Sequence, residues 1–257
     1  MHPFFSSSRP LVFAHRGGSA LAPENTMAAF ANGLALGADG IELDVRLSQD
    51  GVVVVHHDHT VDRTTRGHGA VAAMTAHDLA RLGVPALAEV LGLFRDTRLI
   101  MEMKTNDREL AAGVVEVVRR AGAVERVCVG AFGQRVLNAV RSLEPTVATS
   151  AAREEVRWAL YRSWVRRPSY GVAYKGFQVP EWAGTTRVVS KRFVDMAHRA
   201  GLGVQVWTID DESDARRLLG WGVDALITDR PDVMVRVVQE VPGVPEVPKV
   251  PGRPKVP

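Results

Sequence analysis

Eight short apolar runs recur along the chain, most of them separated by stretches of helical spacing, and nothing else in the sequence restricts the fold as much. The runs cover residues 11–15, 41–45, 99–103, 127–132, 146–150, part of 171–179, 203–209 and 225–228. Helical stretches are expected at 23–36, 87–94, 108–121, 135–143, 154–165, 191–200 and 213–221. Strands joined through helices run parallel, and eight such units close into a (β/α)8 TIM barrel of the α/β class; an open doubly wound sheet is the second solution. With 46% hydrophobic residues among 257, the chain can fill one barrel. Residues 11–240 are assigned to that domain, with 1–10 as a lead and 241–257 as a separate tail.

One stretch does not fit the plain alternation. Residues 40–59, GIELDVRLSQDGVVVVHHDH, read as strand two followed by an extra β-hairpin arm. Side chains two apart on a strand share a face, so Glu42 and Asp44 point the same way. Asp50-Gly51 is a two-residue hairpin signal. A loop centred there pairs residue 49 with 52 and sets Asp44 opposite His57, with Cβ atoms about 5 Å apart. His56 then faces the other way and reads as structural, while His59 lies beyond the ladder.

A barrel carries its active site at the C-terminal ends of its strands. Polar residues gather at those ends: His15 and Arg16 after strand one, Glu42 and Asp44 on strand two, Glu102 and Lys104 on strand three, Trp207 on strand seven, and Asp229 after strand eight. Glu42, Asp44 and Glu102 form an oxygen-rich set suited to one hard divalent cation, Mg2+ or Ca2+, and lack the nitrogen and sulfur ligands that zinc prefers. Arg16 and Lys104 supply charge for an anionic group, and a guanidinium matches phosphate oxygens. Histidines 15 and 57 can exchange protons near neutral pH as acid and base. Trp207 shares a face with Gln205 and either packs a substrate's carbon skeleton or fills the core. Together these groups point to cleavage of a phosphoester.

Composition removes other classes. The single cysteine, Cys128, rules out an intrachain disulfide and a thiolate zinc cluster. The N-terminal segment lacks a basic and then apolar leader, and no run is long enough to span a bilayer, so a soluble cytoplasmic protein is expected. Lys249, Arg253 and Lys255 against Glu246 place most of the +3 net charge in the tail, which leaves little basic surface for nucleic acid. Proline at 242, 245, 248, 251, 254 and 257 matches the three-residue turn of polyproline II. That tail is expected to be extended and disordered, or to dock an unknown proline-reading partner.

The blocks AHRGGSALAPENTMAAF, ELDVRLSQDGVVVVHHDHTVDRTT, MEMK, VWTID and GVDALITDRP, in that order, resemble the glycerophosphodiester phosphodiesterase family. The resemblance implies a TIM barrel and metal-dependent hydrolysis of glycerophosphodiesters, such as glycerophosphocholine or glycerophosphoethanolamine, to glycerol 3-phosphate and an alcohol. It implies His15 and His57 as the catalytic pair, Glu42, Asp44 and Glu102 as metal ligands, and Arg16 and Lys104 as phosphate contacts. Glu24 and Asn25 match its motif and are expected to support the site from the first turn of a helix. The segment 64–86 is shorter than is usual in the family, which points to a more open mouth. Residues 153–175 interleave Trp158, Tyr161 and Trp164 with arginines, as in a stretch that rests on an anionic membrane surface or in an ordinary barrel helix. The membrane reading favours a lysophospholipase D acting on lysophospholipids. A metal-dependent lyase and a non-catalytic binding barrel are the remaining alternatives.

Overall fold

Alternation along each strand decides which residues fill the barrel and which meet the helices. In the computed structural model, which describes residues 1–241, eight parallel strands carry this pattern: β1 (Leu11–His15), β2 (Gly40–Leu47), β4 (Arg98–Met103), β5 (Val127–Gly130), β6 (Ala148–Thr149), β7 (Gly176–Pro180), β10 (Gly203–Trp207) and β11 (Ala225–Thr228). Their order is β6-β5-β4-β2-β1-β11-β10-β7, and a parallel bridge from Ser150 to Gly176 joins the two ends, which closes the barrel. β3 (Val53–Val55) is the extra arm and pairs antiparallel with β2. β8 (Trp182–Ala183) and β9 (Thr186–Arg187) make a small hairpin of their own.

On β2, Ile41, Leu43 and Val45 turn outward into a core shared with α3 (Leu87–Leu93), α4 (Arg108–Arg120) and α5 (Gln134–Leu143). A second outer core joins Val204, Val206 and Leu226 to α6 (Arg153–Trp164), α7 (Lys191–Arg199), α8 (Glu212–Gly220) and α9 (Pro231–Gln239). The barrel interior is apolar below, with Leu11, Phe13, Ile100, Cys128, Ala225 and Ile227, and becomes polar toward the C-terminal ends.

The residues ahead of β1 seal the lower end. A short 3-10 turn, Pro3–Phe5, buries Phe4 and Phe5 in the interior. Glycines make room for them: a Cβ on Gly176 or Gly203 would lie 2.5 or 2.7 Å from the Phe5 side chain. No periodic signal marks two aromatics in an isolated turn, so their place in the core was not legible.

Several boundaries differ from the expectation. The ladder pairs Leu47 with Val53 and Val45 with Val55, and the Ser48 N–H donates to the Val52 carbonyl at 3.0 Å, which leaves three residues, 49–51, at the tip. Gly51 at φ +77° and the Ser48 hydroxyl, which accepts from the Val52 N–H at 3.0 Å, favour this longer turn. The shift by one residue sets His56, not His57, against Asp44, and the His56 N–H donates to the Asp44 carbonyl at 2.9 Å. Helix α1 (Met27–Ala35) starts at Met27 and not at 23, since Thr26 caps it by accepting from the Ala29 N–H at 3.1 Å. Helices α2 (Ala76–Arg81) and α9 were not anticipated. The segment 64–86 folds Val71, Leu79 and Val84 with Val54 and Val61 into a small core beside the hairpin. The proline repeat from 242 onward lies outside the described residues.

Phe5→Ala leaves an aromatic-sized void in the barrel floor and is expected to cost about 3–5 kcal/mol of unfolding free energy. Urea denaturation measures this, and a loss below about 1 kcal/mol would contradict the role of the lead as a plug.

Candidate active site

Parallel register brings the polar residues of neighbouring strands to one level. His15 is level with Glu42, Asp44 with Glu102, and Glu102 with Gly130. His15, Arg16, Glu42, Asp44, His57, Glu102, Lys104 and Trp207 all line one cavity of about 690 Å³ at the C-terminal ends of the strands. Every residue singled out from sequence as catalytic, phosphate-binding or metal-ligating therefore opens onto the same space.

The loop after β1 is bent by three successive residues with positive φ, Arg16 at 51°, Gly17 at 90° and Gly18 at 93°. Gly17 cannot be replaced by a larger residue, since a Cβ there would lie 2.7 Å from the Ala29 backbone. This turn aims the Arg16 backbone N–H at Glu42 Oε2, 3.1 Å away, and its guanidinium at Asp44 Oδ2, also 3.1 Å. Lys104 Nζ meets the other Asp44 oxygen at 3.1 Å, and the Asn25 amide donates to Asp44 Oδ2 at 2.8 Å. Burial works against the Asp44 charge, but Lys104, Arg16 and Asn25 outweigh it and hold this carboxyl below its usual range. Glu42 and Glu102 are less well served. Burial and the neighbouring carboxylates push Glu42 up to about 7 and Glu102 up to about 8.

The two histidines are set differently. His15 Nδ1 lies 2.7 Å from Asp229 Oδ1, which leaves Nε2 facing Glu42 at 3.8 Å. Burial lowers its affinity for a proton, but Glu42 and Asp229 together raise it above the ordinary imidazole value. His57 leaves the ladder after Val55 and reaches the cavity from a bend, with Nδ1 2.6 Å from Asp58 Oδ1. Desolvation dominates there and lowers its pKa in spite of Asp58.

The carboxylates fit a hard cation in kind. Glu42 is buried and Glu102 half-buried, both are short of positive charge, and among the described residues no side chain donates a hydrogen bond to Glu102. Gly130 adds to this, because a Cβ there would stand 2.7 Å from Glu102 Oε2, 3.1 Å from Gln178 Oε1 and 3.3 Å from Ser150 Oγ. Gln178 Oε1 is buried and has no partner. Three oxygens thus face one gap. Among the described residues, no three His, Cys, Asp or Glu side chains stand close enough together to hold a metal ion as placed.

The sequence model of the Glycerophosphoryl diester phosphodiesterase family matches residues 15–233. A glycerophosphodiester phosphodiesterase of Caldanaerobacter subterraneus is 31% identical over 259 residues, covering 90% of this chain and 99% of that protein. The chain belongs to the glycerophosphoryl diester phosphodiesterase family. Among solved structures, an Oleispira antarctica phosphodiesterase in complex with the product sn-glycerol-3-phosphate is 26% identical with a TM-score of 0.75, covering 90% of this chain and 97% of that one. The Agrobacterium tumefaciens glycerophosphodiester phosphodiesterase is 28% identical with a TM-score of 0.72, covering 88% and 99%.

Within this member of the phosphodiesterase family, several site residues carried too little signal to be assigned from sequence. Asp229 was noted only as a strand end, yet it holds His15. Arg63 donates to both Glu24 and Asp58, and so ties the His57 bend to the β1 loop. Glu24 also accepts from Arg16 at 3.0 Å. Asn25 is buried at φ 58°, outside any helix, and this conformation turns its amide onto Asp44. Among the described residues no helix is long and apolar enough to cross a membrane.

Asp229→Asn removes a carboxylate that raises the pKa of His15. The imidazole titration of His15, followed by nuclear magnetic resonance, is therefore expected to move to lower pH; an unmoved titration would show that Asp229 does not set it.

Proposed function

We propose that this chain hydrolyses glycerophosphodiesters to glycerol 3-phosphate and an alcohol, with His15 and His57 as the proton carriers. The observation that carries the reading is that two imidazoles, His15 and His57, share one cavity with Arg16 and Lys104. Phosphoryl transfer needs little more than positioned charge and two proton movements. The product held by the Oleispira antarctica relative supports glycerol 3-phosphate as the group retained.

In this reading the phosphodiester lies against Arg16 and Lys104, whose charges oppose the negative charge that builds on the phosphoryl oxygens. His57, lowered and so neutral near pH 7, takes the proton of the attacking hydroxyl, from water or from the substrate's own glycerol. His15, raised and held by Asp229, gives a proton to the departing alcohol oxygen. A pair of groups pushed apart in this way divides into base and acid. Glu42, Asp44 and Glu102 would hold one divalent cation, Mg2+ or Ca2+, which when bound supplies Lewis-acid stabilisation of the phosphoryl oxygens. Asp44 also fixes Arg16 and Lys104. Trp207 stands at the rim, edge to face with Phe132 at 6.3 Å, where it can pack the glycerol carbons.

Release of glycerol 3-phosphate from glycerophosphocholine and glycerophosphoethanolamine tests the reading. Turnover is expected with Mg2+ or Ca2+, to stop with EDTA, and to fall by about 10²–10⁴-fold in His57→Ala. Full activity in folded His57→Ala, or no release with either cation, would overturn it.

A further inference from the structure

The cavity has two halves of different chemistry. On the side of β1, β2 and β4 it carries the histidines, cations and carboxylates. Across from them, β5, β7, α6 and the β8–β9 hairpin present Ala131, Val156, Leu160, Val179, Pro180 and Val188. Ala131, Leu160, Val179 and Val188 are buried, so this wall is part of the packed structure and not a loose surface. Glycerophosphocholine and glycerophosphoethanolamine have no apolar part to place against it. The wall and the phosphate-binding groups line one continuous space, so a single molecule can cover both.

The rim continues the pattern outward. Phe132, Trp158 and Trp182 are 50%, 58% and 51% exposed, and Tyr161 stacks on Trp158 with ring centroids 5.6 Å apart. Phe132 lines the cavity itself, Trp182 directly precedes Ala183 of the lining, and Trp158 follows Arg157 of the lining on α6. The arginine at 153 stands over the Phe132 ring at 5.2 Å. Among the described residues Arg153, Arg157, Arg166 and Arg167 form no ion pair, whereas the acidic Glu155 of the same helix is turned inward onto Arg141 at 2.8 Å. Exposed indole and phenyl rings beside unpaired guanidinium groups suit the boundary of an anionic lipid layer, where rings enter the acyl edge and cations meet headgroups.

We propose that the chain acts on glycerophosphodiesters that carry one acyl chain, lysophospholipids, taken from an anionic lipid surface, with the acyl chain lying along the wall formed by α6 and the β8–β9 hairpin. The proposal rests on the phosphodiesterase reading above and narrows its substrate. For lysophosphatidylcholine, a water oxygen forms a bond to phosphorus, the bond from phosphorus to the choline oxygen breaks, and that oxygen takes a proton. The products are lysophosphatidic acid and choline. A single chain accounts for a single apolar wall.

Choline release by the full chain is measured on glycerophosphocholine, and on 1-palmitoyl lysophosphatidylcholine carried in vesicles of phosphatidylglycerol or of phosphatidylcholine. The expected result is lysophosphatidic acid and choline from the lysophospholipid, faster in phosphatidylglycerol vesicles. Val156→Asp, which sets a charge in the wall, is expected to lower kcat/KM for the lysophospholipid at least about 10-fold more than for glycerophosphocholine. Choline from glycerophosphocholine but none from lysophosphatidylcholine would overturn this inference and leave the phosphodiesterase reading intact. Folded protein that releases choline from neither would remove that reading and this one with it. Equal losses on both substrates in Val156→Asp would overturn the acyl wall, and equal rates in the two vesicles would overturn the role of the arginine-rich rim.

Discussion

Three carboxylates on neighbouring strands, buried Glu42 and Asp44 and half-buried Glu102, set the constraint that the surrounding structure meets. Burying like charges is costly unless each is paired or protonated. Asp44 is paired in full by Arg16, Lys104 and Asn25, and the strained loop after β1 exists in the conformation that allows two of those three contacts. Glu42 and Glu102 are left with raised pKa values and few donors. The same arrangement underlies the proposed cation site, and Arg16 and Lys104 line the cavity beside it.

The supporting layer is mostly made of pairs that lock direction. Asp229 fixes one face of His15, Asp58 one face of His57, and Arg63 bridges Asp58 to Glu24, which in turn holds Arg16. The run of ion pairs from His57 through Asp58, Arg63 and Glu24 ends on Arg16, the residue after His15. Desolvation is the largest single effect at both; at His57 it prevails and lowers the pKa, while at His15 Glu42 and Asp229 together outweigh it and raise the pKa.

Much of this was legible in the sequence, for reasons that are local. Strand periodicity alone placed Glu42 with Asp44 and Glu102 with Lys104 on inward faces, and the alternation of strands and helices gave the barrel. The hairpin register was not legible, because Asp50-Gly51 serves a two-residue and a three-residue loop equally well, and the choice rests on Ser48 and the partner strand. His57 still reaches the cavity because the chain leaves the ladder before it. Phe5 in the floor and Asp229 beside His15 depend on contacts between residues far apart in sequence, which no local pattern encodes. The apolar wall belongs to the same class, since Val156, Val179 and Val188 come from three separate elements.

The proposed cation site rests on Glu42 and Glu102, two acids that burial and neighbouring carboxylates push above the usual carboxylate range. Calorimetric titration of Mg2+ and Ca2+ into protein stripped with EDTA, wild type against Glu102→Gln, tests it without reference to turnover. The account predicts one cation bound per wild-type chain and affinity weakened by at least about tenfold in the variant. No binding to folded wild type, or equal binding to both, would contradict it.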